Sequence, residues 1–134
     1  MSNINNPSLW ESGKDKIEWV RSYMPLLSSI EKELQATKPF CGMKISMSIH
    51  LEAKTANLAK VLRAGGAEVR VTGCNPLSTQ DDVAAALVHE GFEVFAHHGA
   101  DENGYTQDLI ETISFCPDIL IDDGKSKIEY RALC

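Results

Sequence analysis

Residues 48–55, SIHLEAKT, stand where an apolar run of strand character, residues 43–49, gives way to a helix-like segment, residues 52–64. The same transition recurs at NPLSTQDD, residues 75–82, after the run at 68–72, and at IDDG, residues 121–124, after the run at 118–121. In an open parallel sheet, ligands bind at the carboxyl ends of the strands. The three polar clusters are therefore expected to face one crevice.

Working outward, a further strand is expected at 93–96 and further helices at 79–89 and 101–115. Gly65, Gly66 and Gly91 stand at helix ends, where a left-handed residue is commonly needed. Strands alternating with helices of this length imply right-handed βαβ units. The predicted class is α/β: a parallel sheet of about four strands with flanking helices, in a Rossmann-like or flavodoxin-like three-layer arrangement. Upstream, Ile17, Trp19, Val20, Met24, Leu26, Leu27, Ile30 and Leu34 recur at roughly helical spacing. Pro25 cannot continue an unbroken helix but suits a first turn, so two N-terminal helices are expected.

The chain of 134 residues favours one domain with a real core. It divides into a helical lead-in at 10–38, βα units at 43–121 and a divergent tail at 125–134. That tail, KSKIEYRALC, is short and cationic and does not supply the next unit of a doubly wound sheet. The domain thus reads as partial, and the chain as stopping in mid-fold. An incomplete sheet leaves an edge and apolar helix faces that invite homo-oligomeric association.

With 19 acidic and 13 basic side chains the formal charge is −6, which argues against nucleic acid as the main partner. The polar amino terminus lacks a cationic leader region, and no stretch reaches the ~20 apolar residues that span a bilayer. A cytoplasmic protein with no membrane partner is expected. Cys41, Cys74, Cys116 and Cys134 form no CxxC pair and no zinc-like spacing, so reduced thiols and no tightly bound metal are expected.

His50 lies where the first strand meets a helix, and its imidazole can exchange a proton near neutrality; a hydrogen-bonded structural histidine fits the same position. Glu52 suits the positive end of a helix, whereas Lys54 is unfavourably placed there and is the more suggestive residue. Thr55 is ambiguous. In the second cluster, Asn75-Pro76 favours a turn, and Ser78, Asp81 and Asp82 are explained by helix capping and the helix dipole. Thr79 and Gln80 are freer to meet a ligand. Asp122 and Asp123 alternate in direction, so one can point into the crevice, where a carboxylate near His50 would orient it and favour its protonated form. His97 and His98 lack the supporting spacing of a metal pair. No GxGxxG, Walker loop, GxSxG or HExxH is present.

Taken together, SIHLEAKTANLAKVLRAGGAEV, TGCNPLSTQDDVAAALVHEGFEVFA and PDILIDDG resemble the amino-terminal part of the substrate-binding domain of S-adenosyl-L-homocysteine hydrolase (adenosylhomocysteinase), and HLEAKT in particular resembles the archaeal and thermophilic-bacterial branch. The match runs from about Trp10 to Gly124. The resemblance implies reversible hydrolysis of S-adenosyl-L-homocysteine to adenosine and homocysteine. NAD oxidises the ribose 3′-hydroxyl, homocysteine is eliminated across C4′–C5′, water adds, and the ketone is reduced again.

It also implies catalytic roles for His50, near the 5′ leaving group, and Asp123, around the ribose. Thr79 and Gln80 would line the nucleoside pocket, and Glu52, Lys54 and Thr55 fall in the segment on the purine side. Many members carry Thr in place of Glu52 and Glu or Gln in place of Lys54. A lysine only donates, which matches the carbonyl of hypoxanthine better than the amino group of adenine. The family's second GGD glycine, further catalytic residues and Rossmann NAD domain are not in this sequence, so no turnover is expected from this chain alone. A non-catalytic nucleoside-binding or interaction module is the other class compatible with these residues.

Overall fold

Five parallel strands form one sheet in the computed structural model, which describes residues 1–123. They are β1 (Asn3–Ile4), β2 (Lys44–Ser48), β3 (Glu68–Thr72), β4 (Glu93–Ala96) and β5 (Ile119–Asp122), in the spatial order β1-β4-β3-β2-β5. The helices are α1 (Trp10–Ser22), α2 (Pro25–Thr37), α3 (Ala53–Ala64), α4 (Asp81–His89) and α5 (Glu102–Ile113), with a 3-10 turn at Pro7–Leu9. Every strand and helix expected from the sequence is present, and Pro25 opens α2. The tail at 125–134 lies outside the described residues.

The additional strand is β1. It pairs Asn3 with Phe95 and Ile4 with Ala96, and Ser2 secures it by donating to the Phe92 carbonyl and accepting from the Val94 N–H. Two residues carry no alternation, so the pattern that marks a strand is missing there. Of the glycines expected to be left-handed, Gly66 (φ 96°) and Gly91 (φ 86°) are, whereas Gly65 (φ −74°) is not. Cys41 and Cys74 are not disulfide-bonded. Cys116 is, which corrects the expectation of reduced thiols throughout.

From β2 the chain winds one way, through α3 to β3 and through α4 to β4, each strand beside the last. Then it reverses. α5 crosses the other face and delivers β5 to the far side of β2, with Ser48 in register with Asp122. The polar residues of the central strand record this crossing: buried Ser46 donates its hydroxyl proton to the Thr112 carbonyl of α5 at 2.7 Å. Side-chain alternation sends Ile45 and Met47 to the opposite face, where they join Ala56, Ala59, Val83 and Leu87 in the core.

α1 lies across α4 at very close range. A Cβ on Gly13 would stand 1.9 Å from the Asp82 carbonyl oxygen. The buried glycine thus costs helix propensity but permits the approach. At the same contact Asp82 accepts from Lys16 at 2.7 Å and from Ser12 at 2.8 Å. Partial burial pushes the Asp82 carboxyl up, but the hydrogen bonds from Lys16 and Ser12, the lysine charge and the Val83 N–H outweigh it and hold the group below its usual range.

Two outcomes follow for urea unfolding. Gly13→Ala should destabilise the fold by roughly 2 kcal/mol or more, because overpacking against backbone outweighs the propensity gain. For Asp82, the unfolded chain takes up the proton first as pH falls. The stabilisation from this group is complete above the ordinary carboxylate pKa and is lost as pH drops through its depressed folded value. Asp82→Asn should lower stability above that acidic window, where the charged group contributes fully, and flatten the profile across it.

Candidate functional site

The reversal of winding opens a crevice between β2 and β5 at their carboxyl ends, and His50 and Asp123 meet there. Nε2 of His50 lies 3.9 Å from a carboxylate oxygen of Asp123. The imidazole is about half exposed and Asp123 less so. Of the two adjacent aspartates, Asp123 is the one brought to the histidine.

The loop after β2 is pinned from several sides. Thr55, buried in the first turn of α3, donates its hydroxyl proton to the His50 carbonyl at 2.5 Å. The Glu52 N–H also reaches that carbonyl, at 3.0 Å, and the Gln80 N–H reaches the Leu51 carbonyl, also at 3.0 Å. Thr55 thus shapes the turn that carries the histidine.

The loop after β3 supplies the partner of the imidazole. Ser78 Oγ lies 2.7 Å from His50 Nδ1 and 3.1 Å from the Asn75 carbonyl. The Asn75 carbonyl also accepts from the Ser78 N–H and the Thr79 hydroxyl, so the direction of the Ser78–His50 bond follows the imidazole tautomer. Nε2 is the atom facing Asp123. Helix capping accounts for Ser78 in the sequence, and that explanation hid this role: the N-cap position of α4 is Gln80, which makes no side-chain capping bond. The spacing of 28 residues between His50 and Ser78 offered no signal.

Thr79 is buried, donates its hydroxyl proton to the Asn75 carbonyl at 3.1 Å, and packs where a side chain on Gly73 would otherwise stand. Gln80 and Glu52 line one cavity of about 560 Å³ with Asp15, Lys16, Trp19, Val20 and Ala53. That volume suits a small organic ligand. Lys16 donates to the Gln80 carbonyl oxygen at 3.3 Å, which leaves the Gln80 amide NH2 as its uncommitted group. Lys54 is exposed, outside that lining, and in no ion pair among the described residues. His97 and His98 are engaged elsewhere. His97 lies 2.9 Å from Asp108, whose carboxyl burial pushes up against the opposing pull of His97. His98 lies 2.9 Å from the Thr79 carbonyl.

The sequence of residues 2–130 matches the family model described as S-adenosyl-L-homocysteine hydrolase. The chain belongs to that family. It is 51% identical over 121 residues to the S-inosyl-L-homocysteine hydrolase of Methanopyrus kandleri, covering 90% of this chain and 28% of that protein. It is 47% identical over 121 residues to the adenosylhomocysteinase of Sulfurisphaera tokodaii, covering 90% and 29%. It is also 51% identical over 113 residues to that of Thermotoga maritima, covering 84% and 28%. The chain thus spans less than a third of the length of these relatives. Among the described residues no helix is long and apolar enough to cross a membrane.

The tautomer of His50 is directly observable. Nitrogen-15 imidazole spectra at alkaline pH should show one tautomer dominating in the wild type, and Ser78→Ala should redistribute the two forms. A population unchanged by Ser78→Ala would contradict a role for Ser78 in setting the tautomer.

Proposed function

We propose that this chain forms the nucleoside-facing part of an S-adenosyl-L-homocysteine hydrolase type of site, and that it accepts the inosyl form of the substrate. The observation that carries the reading is the meeting of His50 and Asp123 at the switch point of the sheet, 3.9 Å apart, with Ser78 against the other imidazole nitrogen. Nε2 is the atom that would receive or return a proton at the 5′ side of the ribose. Asp123 would favour the imidazolium form as it develops and take its part in proton transfer around the sugar.

Gln80 and Glu52, brought into one cavity, are assigned to the purine side, with Lys54 in the neighbouring first turn of α3. Thr55 and Thr79 act by holding the two loops, their hydroxyls being committed to the backbone. The uncommitted Gln80 NH2 suits the hypoxanthine carbonyl, and the Lys54 ammonium, outside the cavity lining, would add a second donor. The name carried by the Methanopyrus kandleri relative supports the same preference.

The family's NAD does not fit the described residues. The turn after β2 is Ile49, His50, Leu51 and Glu52, with no glycine to let a pyrophosphate approach the backbone. The N-terminal ends of α3, α4 and α5 carry Glu52, Asp81 with Asp82, and Asp101 with Glu102, all repelling an anion. The chemistry assigned to this chain is therefore substrate binding and proton handling in a cytoplasmic enzyme of this family. We assign residues 1–134 to a partial substrate-binding domain, with 10–38 as its helical lead-in and 43–121 as its βα units.

Calorimetry of the purified chain should show saturable binding of inosine that is tighter than that of adenosine. His50→Ala and Asp123→Ala should each weaken it about tenfold or more, the order of one hydrogen bond to a charged group. Lys54→Glu should shift the preference toward adenosine by a similar factor. A folded chain that binds neither nucleoside would overturn the assignment, and tighter adenosine binding would overturn the inosyl preference.

A further inference from the structure

The crevice holds a third group that the proton-handling scheme leaves unused. Cys74, two residues beyond β3, is buried and not disulfide-bonded. One imidazole nitrogen of His50, the Cys74 sulfur and one carboxylate oxygen of Asp123 all lie within 4.8 Å of one another. We infer that these three side chains form a site for a thiophilic divalent cation such as zinc, one that competes with the acid–base role proposed above.

Nitrogen, thiolate and carboxylate donors are the set that zinc takes, and three protein ligands leave a fourth position open to solvent or another donor. Zinc lies ~2.0–2.3 Å from such donors, so in a tetrahedral site they stand about 3.3–3.8 Å apart. The present separations, 4.8 Å or less, need a contraction of about 1.5 Å at most, on the same ligand lengths. Half-exposed His50 and partly exposed Asp123 have room to supply it, closing on a buried sulfur.

The supporting partners are already in place. Ser78 bonds Nδ1, which orients the ring with Nε2 toward Asp123; a partner on the second ring nitrogen is the device by which metal-ligating histidines are commonly fixed. Beside Cys74, its backbone N–H donates to the Ile49 carbonyl at 3.3 Å and its carbonyl accepts from the Tyr105 hydroxyl at 2.9 Å, which ties this residue to both neighbouring elements.

Binding would take the thiol proton from Cys74, coordinate the lone pair on His50 and the charge on Asp123, and release the proton to solvent. Metal and substrate would then be mutually exclusive. Only this last consequence rests on the proposed function; the ion site itself does not. The positions 50, 74 and 123 are too far apart in the chain to form any metal motif, and only the parallel pairing of β5 and β3 with β2 assembles them.

The test is titration of the purified, reduced full chain with cobalt(II) and zinc(II). One cobalt per chain should produce a thiolate-to-cobalt charge-transfer band and intense visible bands of tetrahedral geometry, displaced by zinc. Cys74→Ser should abolish the charge-transfer band. His50→Ala, at a half-exposed position where folding is not at stake, should weaken zinc binding at least about tenfold, since even an outer partner is worth that much.

Cys41→Ser, at the exposed thiol, should change nothing. No stoichiometric binding, a charge-transfer band that survives Cys74→Ser, or zinc binding unchanged in His50→Ala would overturn the site. Inosine binding measured in parallel separates the two proposals. Nucleoside binding without metal overturns only the ion site, and metal binding without nucleoside overturns only the proposed function.

Discussion

The parallel pairing of β5 with β2 is the constraint on which the site depends. Until that pairing forms, His50 sits at the end of one strand and Asp123 lies more than seventy positions away in the chain. The register that places Ser48 opposite Asp122 puts the next residues of both strands at one crevice. α5 imposes this arrangement by crossing the face opposite α3 and α4, anchored by the buried Ser46 hydroxyl on the Thr112 carbonyl. Helix placement, strand order and side-chain chemistry are thus one linked fact.

The crevice owes its chemistry to the economy of a few protons. Ser78 has one, between His50 Nδ1 and the Asn75 carbonyl. That contact holds the other imidazole nitrogen, Nε2, toward Asp123. Thr55 and Thr79 spend their hydroxyls on backbone carbonyls of the same two loops, which prevents the imidazole and its serine from drifting apart. Acidic residues stand at the starts of α4 and α5, where they disfavour an anion.

The periodicity of the chain made the sheet legible, since each apolar run of β2 to β5 ends in a polar cluster and α3 and α4 close near glycines; after α5 the left-handed residue is Cys116 (φ 53°). β1 was not legible because two residues have no period, and its hold comes from Ser2 on β4. Within the site, His50 and Asp123 could be picked out by residue type and position. Their convergence could not, because it depends on the reversal after β4.

Ser78 was obscured by a competing local explanation, helix capping. Cys74 was passed over because neither it nor its neighbours follow a ligand spacing. Lys54 shows the converse: a suggestive residue type, exposed and outside the cavity that Glu52 and Gln80 line.

Titrating nitrogen-15-labelled chain with inosine and following backbone amide shifts tests the central claim most directly. The account predicts saturable shifts concentrated at residues 50–55, 75–80 and 121–123, where three strand ends meet, with little change along α2. Shifts centred on α2 or on the β1 edge, with the three strand ends silent, would contradict it.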